Sequence, residues 1–235
     1  MAARRPRGRP YNATHIDGFN LNLKEVQRLI DIHQEITGDS AGRKHKVEVL
    51  NSSAVVLLVA CWEAFVEDLA DASFDILLKK ARDHSIVPNS VLTRASKPLV
   101  EDLDKRRVWE LAGAGWKKVL ESHRKAIKSE YSGKLNTPKP RQVNDLFEKM
   151  IGLKRVSRSW TWSRATVDQT ERKLERLVVL RGEIAHRVTS AAGVRKSHVL
   201  AHMDFVTGLV VRTHNRANEH LGKLTGYPPW HEYTW

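Results

Sequence analysis

Apolar residues recur every three to four positions along most of the chain, and strict alternation of apolar and polar residues is nearly absent. The first pattern predicts amphipathic helices, and the rarity of the second argues against strands. Pro88 and Pro98 are expected to break the region around them, and Gly113 and Gly115 to weaken or kink the helix that follows. We expect helices over about 21–37, 41–82, 99–131, 141–153, 167–187 and 197–224.

The second of these helices is predicted to lie at the centre of the fold. Its middle, residues 54–66, is apolar on nearly every side except at Glu63. A helix of that kind is normally surrounded by other helices. The longest apolar run, residues 54–62, is too short to span a bilayer, so no membrane association is expected. The sequence therefore predicts an all-α protein with a single bundle of about six or seven helices.

The net charge of the chain and the composition of its two ends bear on its partners, its domain bounds and its location. The net charge is +13, which favours polyanionic partners such as nucleic acids. We expect a basic disordered arm over 1–18, a helical domain over 19–226 and a tail over 227–235. No apolar segment follows the N-terminal arginines, and one cysteine, Cys61, makes a disulfide framework impossible. A cytoplasmic location is expected. The arginines of the arm, at positions 4, 5, 7 and 9, are expected to add nonspecific attraction to polyanions.

The segment LVVLRGEIAHRVTS, residues 177–190, carries the first candidate chemistry. Leu177, Leu180 and Ile184 have the spacing of a buried stripe, whereas charged residues occupy the same two turns. Glu183 and His186 have the E-x-x-H spacing of di-iron bundles, but such a site needs a second pair and carboxylates from two further helices. We therefore expect no metal and no cofactor. The sequence also lacks a P-loop, an H-E-x-x-H, a G-x-S-x-G and a dinucleotide-binding motif.

Arg181 and His186 together fit RNA cleavage without metal, because the 2′-hydroxyl of RNA is itself the nucleophile. Imidazole suits proton transfer near neutral pH, and guanidinium binds phosphoryl oxygens in a bidentate manner. Five residues on an ideal helix separate the two side chains by about 140° in projection. A two-fold dimer could bring both into one cleft. The alternative is an ordinary helix end whose basic residues complement the helix dipole.

The hexapeptide R-G-E-I-A-H at 181–186 resembles the R-x4-6-H motif of HEPN domains, whose commonest form is close to R-N-x-I-A-H. Three further blocks, at 55–69, 136–153 and 213–221, resemble the long early helix, the middle segment and the last helix of the RiboL-PSP-HEPN group. The resemblance covers roughly residues 45–222, in the expected order.

This resemblance implies an all-α bundle that dimerises with its motif helices facing each other. Many HEPN proteins are metal-independent endoribonucleases, often toxins or antiviral effectors, and an antitoxin or regulatory protein would then be a partner. Arg181 would hold the phosphate of RNA and His186 would transfer protons, with Glu183 and Arg187 in support. Other HEPN domains are inactive modules that bind RNA or a partner protein. Gly182 favours this alternative, because the family usually has a polar residue, often asparagine, at that position.

Two further features are candidates for supporting roles. Glu63 is expected either to orient Arg181 or to lie at a helix edge, where water or a lysine would satisfy it. The basic loop that precedes the motif helix could bind phosphates and stack bases, with one of its two tryptophans expected in the core. Its candidate RNA-binding residues are Lys154, Arg155, Arg158, Trp160, Trp162 and Arg164.

Overall fold

The computed structural model describes residues 10–38, 47–131, 138–162, 165–187 and 193–235. Within these residues the only β-structure is an isolated bridge between Trp162 and Ala165, and the fold is an all-α bundle. The prediction of six or seven helices is confirmed. The α-helices of the described residues are α1 (Thr14–Thr37), α2 (Glu48–Lys80), α3 (Asn89–Val100), α4 (Gly115–Tyr131), α5 (Pro140–Ile151), α6 (Val167–Arg187) and α7 (Lys196–Thr225). Short 3-10 turns cover His84–Ile86, Lys105–Leu111 and Val156–Ser159.

Helix α2 is the centre of the bundle, as its apolar pattern predicts. It packs against α1, α5, α6 and α7, and Leu58, Trp62 and Phe65 on it are fully buried. By length and composition α2 is apolar enough to cross a bilayer, which the apolar run over 54–62 alone did not indicate. More than half of its most apolar stretch is covered by the rest of the protein, as in the core helix of a bundle.

The prediction of one helix over 99–131 is wrong. The side chains of Asp102 and Asp104 accept hydrogen bonds from the backbone N–H groups of Asp104 and Arg106, which stabilises turns that compete with a helix. Gly113 then adopts a left-handed conformation with φ of 59°, and α4 begins two residues later. Pro98 does not break the chain but lies in the last turn of α3.

Both ends of the described chain are more ordered than the sequence indicated. Helix α1 begins at Thr14, inside the segment expected as a disordered arm, whose residues 1–9 lie outside the described part. The segment 227–235, expected as a tail, packs along α7. Trp230 is buried, and its backbone N–H and C=O both bond to the side chain of Asn218.

A buried pair of histidines supports the same end of the bundle. The ring of His214 on α7 lies within hydrogen-bonding distance of the His231 backbone carbonyl through Nε2, at 2.9 Å. This leaves its Nδ1 to accept a bond from Nε2 of His15 on α1, at 2.8 Å. Burial lowers the pKa of both rings, that of His15 to about 3. The two neutral histidines therefore connect α1, α7 and the C-terminal segment.

Candidate functional site

Helix α6 carries the candidate site, and its start is set by its own side chains. The Thr166 hydroxyl accepts a bond from the Gln169 N–H, and the Gln169 carboxamide oxygen accepts one from the Thr166 N–H, at 3.3 and 3.0 Å. This reciprocal capping fixes the first turn. One face of the helix is buried, at Leu174, Leu177, Val178 and Ile184. The bounds predicted for this helix, 167–187, agree with the structure.

Arg181 lies on the edge of the buried face, half-buried against α2. The structure brings Glu63 of α2 close enough to interact with it. Burial raises the pKa of Glu63, the neighbouring Glu67 raises it further, and the positive charge of Arg181 opposes both effects. This electrostatic interaction is what an orienting role of Glu63 requires, and that role stays a prediction.

His186 lies on a different side of the same helix and is exposed. It follows Arg181 by five residues, which on an ideal helix corresponds to about 140° of rotation and about 7 Å of rise. Glu183, between them, is also exposed and lines a shallow groove along the outer face of α6. Arg187 ends the helix, and its side chain is outside the described residues. Arg181 and His186 of one chain thus point in different directions.

The position between them is open. A Cβ atom added at Gly182 would have no heavy atom within 4 Å outside its own helical surroundings. The glycine is therefore not required by packing. The local structure would accommodate a Cβ atom at this position.

The outer face of α6 offers an open groove of about 730 Å³. Val179, 47% exposed, lies near its middle, next to the half-buried Leu180. Charged side chains of both signs flank these two residues, at Arg172, Glu175, Arg176 and Glu183. A mixed apolar and charged surface of this kind suits contact with another helix.

The basic loop before α6 is only partly as predicted. Lys154, Arg155 and Arg158 are exposed, and Arg164 lies outside the described residues. Trp160 cannot stack on a base, because its ring is fully buried and its indole N–H bonds to Thr213 Oγ1 at 2.8 Å. The prediction of Trp160 as an RNA-binding residue is therefore wrong, and it is the core tryptophan of the pair.

Trp162 is half-buried in an aromatic group that sequence inspection missed. Its ring centroid lies 6.0 Å from that of Phe205 and 5.1 Å from that of Trp235. Lys173 of α6 places its Nζ atom 4.3 Å from the centroid of Phe205. The spacing of His198 and His202, four residues apart on α7 beside this group, was an available signal that the prediction did not use.

Among the described residues, no group of three or more His, Cys, Asp and Glu side chains could hold a metal ion. The sequence model of the RiboL-PSP-HEPN family matches residues 20–219. Neither the curated proteins nor the solved structures include a significant match. The family match spans α2, α6 and most of α7, and therefore Glu63, Arg181 and His186.

Proposed function

Since the chain belongs to the RiboL-PSP-HEPN family, we propose that it is a metal-independent endoribonuclease with Arg181 and His186 as its catalytic residues. The observation that carries the proposal is the pairing of a half-buried Arg181, beside Glu63, with an exposed His186 on the same helix. Arginine held beside a carboxylate has a restricted orientation, which suits the binding of a phosphoryl group.

The reaction follows from the residue types. An imidazole of His186 removes the proton of the 2′-hydroxyl, and the 2′-oxygen forms a bond to phosphorus. The bond from phosphorus to the 5′-oxygen breaks, and that oxygen takes up a proton from an imidazolium. Arg181 stabilises the negative charge on the phosphoryl oxygens. The products carry a 2′,3′-cyclic phosphate and a 5′-hydroxyl, and no water is consumed in this step.

A homodimer completes the site in this proposal. In one chain the two side chains diverge by about 140°, so one protomer alone does not direct both at one phosphate. Pairing the outer faces of two α6 helices would bring a His186 from each chain towards a common cleft, and the long side chain of Arg181 would reach round its helix to line that cleft. The exposed Val179 and the groove beside it support this face as the interface.

The experiment is cleavage of a labelled single-stranded RNA by the purified protein in EDTA. The parent should cleave, and Arg181→Ala or His186→Ala should reduce the rate at least about 100-fold, as expected for loss of a proton-transfer or oxyanion-binding group. Arg28→Ala and His84→Ala, at exposed positions of α1 and of the turn before α3, are matched controls. An intact RNA, or a His186→Ala protein as fast as the parent, contradicts the proposal.

A cellular role follows from this chemistry. An endoribonuclease acting on RNA in the cytoplasm would arrest growth, so we propose a toxin or antiviral defence effector controlled by an antitoxin or regulatory protein. Expression of the parent should be toxic, and expression of Arg181→Ala or His186→Ala at the same level should not. Equal toxicity of all three proteins contradicts this role.

A second candidate is a noncatalytic module that binds RNA or a partner protein. Gly182 favours it, since the side chain most common in the motif is missing although a Cβ atom at this position would meet no neighbour within 4 Å. Gly182→Asn separates the two candidates. If the parent binds RNA without cleaving it and Gly182→Asn cleaves the same RNA, the parent is a noncatalytic module.

A further inference from the structure

Lys173 of α6 and His202 of α7 belong to one side-chain cluster between these two helices, away from Arg181 and His186. Lys173 is half-buried, and its ammonium lies over the ring of Phe205. His202 lies one turn before Phe205 on α7 and is also half-buried. Its Nδ1 atom is shielded from solvent and has no hydrogen-bond partner among the described residues. A buried polar atom of this kind is usually hydrogen-bonded, so an unpartnered ring nitrogen beside the ammonium of Lys173 indicates a polar group that is missing from this cluster.

The charges of this cluster are poorly compensated. Burial lowers the pKa of Lys173 and lowers that of His202 to about 4. Positive neighbours lower both further, Arg176 in the case of Lys173, and Lys173 and His198 in the case of His202. Asp204 acts in the opposite direction on Lys173. An anion bound here would relieve this repulsion and favour the charged forms.

Aromatic rings border the same cluster. Phe205 contacts Lys173 on one side and Trp162 on the other, and Trp162 in turn contacts Trp235, whose side chain is partly exposed. Gly208 allows Trp235 to lie close to α7, because a Cβ atom at this position would come within 2.9 Å of the indole ring. Trp235 thus offers a stacking surface, and Lys173, joined to it through Phe205 and Trp162, offers a cation; these are the two features that bind a nucleotide.

We propose that Lys173 and His202 bind a phosphate of single-stranded RNA while a neighbouring base stacks on Trp235. This site rests on the proposed function only in that its ligand is the same RNA. Lys173 precedes His186 by thirteen residues, which is about 20 Å along the axis of α6. The site therefore holds the strand at a distance from the bond to be cleaved. It lies on the α7 side of α6, so pairing of the outer faces of two α6 helices leaves it accessible.

The test uses a fluorescent single-stranded RNA with 2′-O-methyl groups, which can bind but cannot undergo 2′-hydroxyl attack. Its affinity is measured by fluorescence anisotropy at several salt concentrations. Lys173→Gln should weaken binding about 5- to 10-fold and reduce the salt dependence by about one phosphate contact. Trp235→Ala should weaken it about 10-fold, as expected for loss of one stacked base.

Three variants make the test independent of folding defects and of general charge. Lys125→Gln removes an exposed lysine of α4, and Trp109→Ala removes a tryptophan that is 78% exposed; both should bind like the parent. Gly208→Ala removes no functional group but displaces the ring of Trp235, and it should weaken binding as Trp235→Ala does. If Lys173→Gln and Trp235→Ala bind RNA as tightly as Lys125→Gln and Trp109→Ala, the site is not where we propose.

The source of the nucleotide and the fate of the RNA are measured separately. If AMP competes as well as the RNA, the site takes free mononucleotides and the proposal of an RNA strand is overturned. Cleavage of an unmodified RNA by the parent tests the endoribonuclease alone. A protein that fails to cleave but loses affinity in Lys173→Gln supports the binding site and contradicts the enzyme.

Discussion

Glu63 of α2 and Arg181 of α6 lie within electrostatic range of each other, and the charge of the arginine opposes the rise in the pKa of Glu63 that burial causes. The pair joins the central helix of the bundle to the helix that carries His186. Glu63 is the one acidic residue in the apolar stretch 54–66 of α2, and an interaction with a cation offsets the cost of burying its carboxylate.

Replacing Glu63 by glutamine tests whether this pair positions Arg181. We expect Glu63→Gln to reduce kcat for RNA cleavage about 10-fold with little change in KM, since a misdirected guanidinium loses contact with the transition state more than with the bound strand. Single-turnover cleavage and RNA affinity are measured for the same preparation. Glu121→Gln, at an exposed position of α4, is the matched control and should cleave like the parent.

A merely structural role of Glu63 would give a different pattern. It would lower the stability of the protein and affect kcat and RNA affinity together. Glu63→Asp keeps the charge, and it should recover part of the lost kcat if the carboxylate orients Arg181. No recovery, with equal loss of stability in both variants, contradicts the positioning role.

Two glycines within helices should respond to alanine in opposite directions. At Gly182 an added Cβ meets no atom within 4 Å, so Gly182→Ala should raise the free energy of unfolding by about 1 kcal/mol through helix propensity alone. At Gly208 the added Cβ would lie 2.9 Å from the ring of Trp235. This close contact opposes the gain in stability from helix propensity. Urea unfolding of the two variants checks this. A Gly182→Ala protein that is less stable than the parent would show that the position is constrained.

The helix that carries the site was predictable because its signals are local. Its apolar stripe, from Leu174 to Ile184, has the helical period over its whole length, and the predicted bounds agree with the structure. The R-x4-H spacing, likewise, is a property of consecutive residues. The segment after α2 was harder, since the turns at Asp102 and Asp104 depend on side-chain bonds to the backbone that override helix propensity.

The features that the sequence did not predict depend on contacts between residues that are far apart in sequence. Nothing in PPWHEYTW indicates that Trp230 is buried against α7 or that Trp235 contacts Trp162. An interaction of Glu63 with Arg181 was only one of two alternatives, because sequence does not give the rotation of one helix relative to another. The sequence also does not show which tryptophan of the basic loop is buried. The structure identifies it as Trp160, whose indole N–H bonds to Thr213.

Acid should destabilise the protein through His15. Its pKa lies at about 3 in the folded state against 6.5 for an ordinary histidine, so the unfolded chain takes up a proton first as the pH falls. The contribution of neutral His15 to the free energy of unfolding is therefore fully present above about pH 6.5. It is lost as the pH falls from there to about pH 3. From pH 7.5 to pH 5 the contribution lost is about 2 kcal/mol. His202, His123, His214 and His220, with lowered pKa values, act in the same direction.

Urea unfolding at the two pH values measures this, with His15→Gln as the informative variant. Glutamine keeps a donor for His214 but does not titrate, so the loss of stability on acidification should be smaller than in the parent. His84→Gln, at an exposed position, should leave the pH dependence unchanged. If His15→Gln shows the full loss, the titration of His15 is not its cause.

Dimerisation through the outer face of α6 predicts a defect at Val179, which is 47% exposed in the single chain. A glutamate there would add a third carboxylate to those of Glu175 and Glu183 in the groove and oppose close contact with another helix. We expect Val179→Glu to be monomeric in sedimentation velocity at concentrations where the parent is a dimer. It should lose cleavage while binding 2′-O-methyl RNA through Lys173 with nearly unchanged affinity.

Val49→Glu, at a valine of α2 that is 63% exposed, is the matched control and should remain dimeric and active. A Val179→Glu protein that cleaves RNA as a monomer would show that one chain contains a complete site, and a dimer unaffected by the substitution would place the interface elsewhere.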